Sequence, residues 1–251
     1  MLSKKMKGSK CVGIDSCKKS GKHYGWAVFW IEDNFGYGFG IYPTISDIIV
    51  DHHNAACVLI DIPIGLPETE QENRLRPDRE LRNRLKGKSA SVFNTPCRQA
   101  VYCRDKQEAK AVNIEITKKS LSEQSLGFSK KIREVDEFLL SNPHYIGRIR
   151  ESHPEYSFAL LDGGKPLISR KTENIGFAER REVLNRHYVA TEQALNEIMS
   201  QYPKRLLDDF VDAMVLAVIG IAGMQFGFET IPEHPTKDSR MLPMEIVYAR
   251  M

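Results

Sequence analysis

The chain has 251 residues, of which 41% are hydrophobic and 27% are charged, and its formal net charge is +3 at pH 7. These are ordinary values for a globular protein, and they argue against a disordered chain and against a membrane protein. The slight positive charge is compatible with a nucleic-acid partner but does not require one. The length is sufficient for a substantial buried core.

The five cysteines are odd in number and include no C-x-x-C pair. This pattern argues against a disulfide framework and a zinc knuckle, so we interpret them as reduced, partly buried thiols. The lysine-rich start of the chain is followed by an apolar stretch that Asp15 interrupts, unlike the core of a signal peptide. No apolar run approaches the roughly 20 residues that span a bilayer. We therefore expect a cytoplasmic protein that does not enter a membrane.

Three short runs of aromatic and apolar residues near the start of the chain predict three antiparallel strands. They are KCVGID at residues 10–15, GWAVFWI at 25–31 and GYGFGIY at 36–42. Asp33 and Asn34 lie between the second and third runs and supply a turn, so these two strands are predicted to form a hairpin.

The middle of the chain predicts a helix, a buried strand and then a largely helical region. Ser46 is a plausible cap for a short helix that ends at His52. The run AACVLIDI at residues 55–62 is typical of a strand that is buried on both faces. Residues 68–150 are rich in charged, helix-favouring stretches, which we interpret as a helical insertion within a single domain that comprises residues 1–251.

The last part of the chain predicts further helices around one buried helix. Residues 149–158 contain a candidate fifth strand whose end is uncertain because of Pro154. Residues 174–201 resemble an exposed amphipathic helical region, whereas residues 207–224 are apolar nearly all round and predict a buried helix. The stretch LPMEIVY at 242–248 predicts a short strand or an extended segment.

Aspartates follow two predicted strands and occupy the start of the buried helix. Asp15 and Asp61 lie at strand ends, where ligands bind in open α/β sheets. Asp208, Asp209 and Asp212 fall within an arc of roughly 100° on the helix. Helix capping explains the first of these well and the second less fully, whereas Asp212 lies where the helix becomes apolar and a lone carboxylate is costly. Metal ligation and ordinary capping both remain open from these residues alone.

Seven motifs follow one another along the chain: GID (13–15), IDIPIGLP (60–67), SVFNTPCR (91–98), KIREVD (131–136), HPE (153–155), DDFVDA (208–213) and LPMEIVY (242–248). In this order they resemble the family DUF429, which is described as predicted nucleases with a ribonuclease H-like fold. These motifs extend over nearly the whole chain.

The resemblance implies a ribonuclease H-like α/β fold, in which an antiparallel three-strand meander is followed by a helix and by parallel strands, with helices flanking the mixed sheet. Enzymes of this fold bring together carboxylates from the first strand, the fourth strand and a late helix. The matching positions here are Asp15, Asp61 and Asp209 or Asp212. The D-x-x-D-A pattern that ends at Ala213 is also similar to the late helix of Holliday-junction resolvases.

The activity implied by the resemblance is divalent-metal-dependent hydrolysis of phosphodiester bonds in DNA or RNA. Carboxylate oxygens suit Mg²⁺ or Mn²⁺, and two such ions about 3.5 to 4 Å apart stabilise both the attacking and the leaving oxygen. Asp15 is the expected bridging ligand, Asp61, Asp209 and Asp212 complete the ligand set, and water is the nucleophile. Glu155 is a candidate further ligand or proton acceptor.

Nucleic acid is the expected partner, and three residues within the family-like motifs are predicted to contact it. Arg98 and Lys131 are candidates for binding phosphates. His153 is a candidate for proton transfer or phosphate contact, with a structural hydrogen bond as the alternative. The other cations of residues 74–88 are interpreted as a solvated helix face with acidic partners.

Two alternative functions remain open. One is a phosphotransferase or ATPase of the sugar-kinase and actin type, although the sequence has no G-x-x-x-x-G-K-[ST] loop and no glycine-rich continuation after Asp15. The other is a non-catalytic module that binds nucleic acid or protein, since fold does not determine function. The retention of Asp15, Asp61, Asp209 and Asp212 argues against such a module.

Overall fold

The structure is a computed structural model that describes residues 10–18, 24–33 and 36–251, so Asn34 of the predicted turn lies outside the described residues. The chain divides into two compact units. The first unit contains the described residues up to Asp61 together with Arg148–Glu229 and Val247–Met251. The second unit contains Ile62–Gly147 and Thr230–Ile246.

A five-stranded mixed sheet forms the centre of the first unit. Its strands are β1 (Cys11–Lys18), β2 (Tyr24–Ile31), β3 (Tyr37–Tyr42), β4 (Cys57–Ile60) and β5 (Ile149–Glu151). The strand order is β3-β2-β1-β4-β5. The pairs β1–β2 and β2–β3 are antiparallel, whereas β1–β4 and β4–β5 are parallel. The predicted mixed sheet, with a meander followed by parallel strands, is confirmed.

The described α-helices flank this sheet or belong to the second unit. In chain order they are α1 (Ile45–Asp51), α2 (Glu70–Leu75), α3 (Asp78–Arg84), α4 (Arg98–Tyr102), α5 (Lys106–Thr117), α6 (Glu123–Ser141), α7 (Pro154–Leu161), α8 (Asn174–His187), α9 (Thr191–Gln201) and α10 (Leu207–Phe226). Among the described residues, no helix combines the length and the apolar character that crossing a membrane would require.

Two local predictions need correction. The side chain of Thr44, not Ser46, caps α1, and it forms a capping box with Asp47. The candidate fifth strand is shorter than residues 149–158, because Pro154 begins α7 instead of continuing the strand. Proline suits the first helical turn because its missing N–H has no partner there in any case.

Helix α10 packs against the central strands of the sheet and is buried along most of its length, as predicted. Gly13 of β1 makes this close approach possible. A Cβ atom at Gly13 would lie 2.0 Å from the carbonyl oxygen of Ala213 and 2.5 Å from the backbone nitrogen of Ala217. The glycine of the GID motif therefore brings the start of α10 next to β1.

The second unit contains helices α2–α6 and most of a two-stranded sheet formed by β6 (Glu229–Lys237) and β7 (Pro243–Tyr248). The predicted terminal segment is thus a strand. Gly65 lies close to this segment, since a Cβ there would be 2.6 Å from the carbonyl oxygen of Pro243. The Asp238 carboxylate accepts a hydrogen bond of 2.8 Å from the backbone N–H of Leu66. These contacts join distant parts of the chain within one unit.

The five cysteines are free; four are buried and Cys103 is partly exposed. The interpretation as reduced, partly buried thiols is confirmed.

Candidate functional site

Asp15 and Asp61 lie side by side in the first unit. The parallel pairing of β1 with β4 ends at Ile14 and Ile60, so the two aspartates are the next residues in register. The backbone N–H of Asp61 donates a hydrogen bond of 3.0 Å to the carbonyl oxygen of Ile14, which holds the two strand ends together. Asp15 is only 6% exposed. This edge of the sheet therefore carries two neighbouring carboxyl groups.

Helix α10 adds three more carboxyl groups from its first two turns. Asp208 and Asp209 are partly exposed, whereas Asp212 is only 3% exposed. The close approach of α10 to Gly13 places Asp212 near the end of β1, where it interacts electrostatically with Asp15. The helix and the sheet thus contribute to one cluster of carboxyl groups.

Burial dominates the ionisation of this cluster. It raises the pKa of Asp15 well above its ordinary value, that of Asp61 to about 8 and that of Asp209 to about 7. The pKa of Asp208 is also raised, again chiefly by burial. Neighbouring carboxylates add to each of these effects, because like charges disfavour ionisation. The ionised cluster is therefore costly unless a cation accompanies it.

Lys171 supplies such a cation, and it was not among the site residues predicted from the sequence. Its Nζ lies 2.5 Å from Oδ2 of Asp212. The attraction of Asp212 is the main reason why the pKa of Lys171 is raised, and Asp15 and Asp61 contribute as well. The side chain remains 38% exposed. We call these residues the Asp15 group: Asp15, Asp61, Lys171, Asp208, Asp209 and Asp212.

Two glutamates on adjoining elements approach the Asp15 group. Glu151 ends β5 and Glu155 lies in the first turn of α7, and both interact electrostatically with Asp61. Arg180 is almost fully buried and donates a hydrogen bond of 2.7 Å from Nη2 to Oε1 of Glu155. Oε2 of Glu155 is buried and has no hydrogen-bond partner among the described residues. Glu151 was not among the predicted site residues.

His153 immediately precedes α7, in the same HPE motif. Its carbonyl oxygen accepts a hydrogen bond of 3.0 Å from the Ser157 hydroxyl, which fixes the backbone at the start of the helix. The side chain is partly exposed. Its predicted contact with substrate stays a prediction.

Arg98 and Lys131 belong to the second unit. The guanidinium group of Arg98 and the ammonium group of Lys131 both contact carboxylates. Arg98 contacts Glu68 at 2.7 Å, Asp136 at 2.9 Å and Asp238 at 2.6 Å. We call these four residues the Arg98 group. Lys131 Nζ lies 3.0 Å from Oε2 of Glu134 and is likewise buried. A phosphate role for Arg98 or Lys131 stays a prediction, and the observed contacts are internal ion pairs.

The fit of the Asp15 group to a metal ion rests on its chemistry. Among the described residues, no group of three or more histidine, cysteine, aspartate or glutamate side chains has a ready-made metal-binding arrangement. The group nevertheless offers oxygen donors of the kind that Mg²⁺ and Mn²⁺ prefer. The Lys171 ammonium group places a positive charge among these carboxylates. Oε2 of the nearby Glu155 accepts no hydrogen bond from the described residues and can accept one from a ligand.

The chain was compared with known families, curated proteins and solved structures. Residues 13–237 match the model of a family described as protein of unknown function, DUF429. No curated protein and no solved structure matched the chain. The matched segment includes Asp15, Asp61, Glu155, Lys171 and Asp212, and it covers most of the chain. The chain therefore belongs to the DUF429 family, as its motifs predicted.

Proposed function

We propose that this protein is a divalent-metal-dependent nuclease with a ribonuclease H-like fold, and that the Asp15 group is its active site. The observation that carries the proposal is the convergence of carboxyl groups from β1, the end of β4 and the start of α10. The pKa values of Asp15, Asp61 and Asp209, raised chiefly by burial, indicate a need for positive charge. A hard divalent cation satisfies that need more fully than one ammonium group does.

The topology of the first unit supports the ribonuclease H-like assignment. An antiparallel meander leads into a parallel fourth strand, and a late helix packs on the first strand. Asp15, Asp61 and Asp212 occupy the first strand, the end of the fourth strand and the late helix, which are the three places that the family resemblance implies.

The proposed ligands are Asp15, Asp61, Asp209 and Asp212, holding Mg²⁺ or Mn²⁺. Metal bound there would activate water and neutralise charge on a phosphodiester. The burial of Asp15 and Asp212 excludes most competing solvent from their oxygens. Lys171, being partly exposed, can leave Asp212 without breaking the core.

Glu155 is proposed as the proton acceptor beside this site. Arg180 holds one carboxylate oxygen at 2.7 Å, which fixes the orientation of the side chain, while Oε2 keeps its acceptor capacity. A carboxylate that is oriented through one oxygen and open at the other suits removal of a proton from attacking water.

The direct test is cleavage of labelled single-stranded, duplex and branched DNA and RNA in the presence of Mg²⁺ or Mn²⁺. The wild type is compared with Asp15→Asn and Asp212→Asn, which keep the shape of the side chain but remove its charge. Each substitution is expected to reduce cleavage by at least about a hundredfold.

Asp51→Asn is the matched control, because Asp51 is exposed at the end of α1 and does not belong to the Asp15 group. It is expected to cleave like the wild type, and circular dichroism verifies that all variants fold. A wild type that cleaves no substrate on the panel, or an Asp15→Asn variant with full activity, would contradict the proposal.

A further inference from the structure

A cavity of about 410 Å³ opens in the first unit between the segment that carries Lys171 and helices α8, α9 and α10. Its apolar lining includes Phe177, Ile198, Met199, Tyr202 and Leu207. A cavity of this size is in the range that binds small ligands. The cavity is thus a candidate binding site whose occupant was not anticipated from the sequence.

The lining of the cavity includes an aromatic ring, that of Tyr202, whose position is fixed by neighbouring rings. The Tyr202 ring packs against Phe210, with ring centroids 4.8 Å apart, and against Phe39 at 6.1 Å. Ile198 and Leu207 are almost fully buried and form an apolar floor. Because its neighbours hold the Tyr202 ring in place, a planar ligand can pack against it with little loss of side-chain freedom.

The cavity is continuous with the Asp15 group. Lys171 and Asp208 line the cavity, and both also interact electrostatically with Asp212. A ligand in the cavity therefore lies beside the proposed reaction centre. Lys204 lines the same cavity and adds a second positive charge to that of Lys171.

We propose that this cavity binds one nucleobase of a single-stranded nucleic acid and thereby places the adjoining phosphate near the Asp15 group. This inference rests on the proposed function. A nucleobase combines flat apolar faces with a polar edge, and the cavity combines aromatic and aliphatic surface with the polar side chains of Thr172, Glu173 and Asn174. The two lysines complement the charge of the phosphate.

A base in this cavity must be unstacked from its neighbours. Extracting a base from a duplex costs unstacking and unpairing energy, whereas a single strand presents its bases at lower cost. The cavity therefore predicts preference for single strands, or for the unpaired regions of branched substrates, over continuous duplex.

The test measures binding without added divalent metal, so that it does not depend on cleavage. The probes are the four ribonucleoside 5′-monophosphates, ribose 5-phosphate as the same sugar phosphate without a base, and a single-stranded octanucleotide with its duplex. Affinities are measured by titration calorimetry or by saturation-transfer NMR. At least one nucleotide is expected to bind roughly tenfold or more tightly than ribose 5-phosphate.

Met199→Trp fills the cavity from its rim, and Met199 is 46% exposed, so the substitution does not disturb the core. It is expected to weaken nucleotide and octanucleotide binding by roughly tenfold. Met224→Trp is the matched control, because Met224 is 39% exposed near the end of α10 and does not line the cavity. Phe177→Leu is a second variant, which keeps apolar volume but removes a flat ring.

Equal binding of ribose 5-phosphate and the nucleotides would overturn the inference, as would unchanged affinity in both Met199→Trp and Phe177→Leu. Binding of free nucleotides without the octanucleotide would overturn the assignment to a strand. The two proposals fail separately. A wild type that cleaves nothing but binds nucleotides through the cavity contradicts only the proposed nuclease activity. A wild type that cleaves, but whose binding is unchanged by both Met199→Trp and Phe177→Leu, contradicts only the proposed base pocket.

Discussion

The Asp15 group and the Arg98 group each gather several carboxylates around one principal cation, yet their bonding differs. Every side-chain nitrogen of Arg98 donates to a carboxylate, and the Asp238 carboxylate also accepts from the backbone N–H groups of Leu66 and Leu242. In the Asp15 group, one ammonium group makes one short contact with Asp212. The cation of the Arg98 group therefore contacts three carboxylates, whereas the cation of the Asp15 group contacts one.

This difference separates a structural ion-pair network from a candidate active site. Buried charges that are fully hydrogen-bonded specify the fold, whereas buried carboxyl groups with raised pKa values retain binding capacity for a cation. The number of acidic residues alone does not distinguish the two groups. The two groups are distinguished by the hydrogen-bond donors that contact each carboxylate.

The largest expected effect is the loss of the Arg98 guanidinium. Arg98→Ala should destabilise the protein by about 3–5 kcal/mol, because it leaves Asp136 and Asp238 buried without their cation. Chemical denaturation measures the change. Arg74→Ala is the control, since the Arg74 side chain is 74% exposed and its ion pair with Glu70 lies at the surface. A small change in Arg98→Ala would show that the Arg98 group is not structural.

An aspartate-to-asparagine substitution should change the stability of the protein in opposite directions in the two groups. Asp15→Asn is expected to stabilise the metal-free protein at pH 8, because it removes a buried carboxyl group whose pKa is raised by burial. Asp136→Asn should destabilise it, because it removes the charge that Arg98 contacts through two nitrogens. Thermal unfolding of both variants provides the comparison, and a shift in the same direction for both would contradict the distinction.

Replacing Lys171 tests how the cation of the Asp15 group affects the binding of a metal ion there. Lys171→Gln is expected to tighten Mn²⁺ binding by roughly tenfold, because the ammonium group competes for Asp212 and repels another cation. Lys204→Gln is the matched control, since Lys204 lines the neighbouring cavity without an ion pair to Asp212 among the described contacts. Calorimetric titration measures both, and weaker binding in Lys171→Gln would make this lysine a supporting residue and not a competitor.

The last comparison concerns the pH dependence of stability. The pKa of Asp61 is raised to about 8 by burial, so the folded protein binds more protons than the unfolded chain between the ordinary carboxyl range and pH 8. Stability without metal should therefore fall as pH rises through this window, by at most about 1.4 kcal/mol per pH unit from this one group. Asp61→Asn should flatten the dependence.

Stabilisation by Mn²⁺ should show the opposite trend and increase from pH 6 to pH 8, because metal ligation requires ionised carboxylates. Differential scanning calorimetry across this range measures both trends. Equal stabilisation by Mn²⁺ at pH 6 and pH 8 would indicate that the raised pKa of Asp61 does not govern metal binding.

Much of the first unit was predictable because its signals are local. The apolar runs of β1–β4 and the all-round apolar character of α10 follow directly from residue order. The neighbouring positions of Asp15 and Asp61 follow from parallel strand ends meeting at one edge. Asp212 attracted attention because a carboxylate in an apolar helix needs an explanation.

The parts that were missed depend on long-range contacts. Lys171 lies in an irregular segment without periodicity, and its partner Asp212 is 41 residues away. The motif that contains Arg98 was recognised, but its partners Asp136 and Asp238 are 38 and 140 residues away, so residue order did not reveal that its donors face carboxylates. Nor did it indicate that residues 230–246 belong with the helices of the second unit.

Calorimetric titration of Mn²⁺ at pH 8 measures whether the Asp15 group binds a divalent metal ion. Wild type and Asp51→Asn should bind Mn²⁺ alike, and Asp212→Asn should bind at least about tenfold more weakly. A wild type that binds no Mn²⁺, or an Asp212→Asn variant that binds as the wild type does, would contradict the claim.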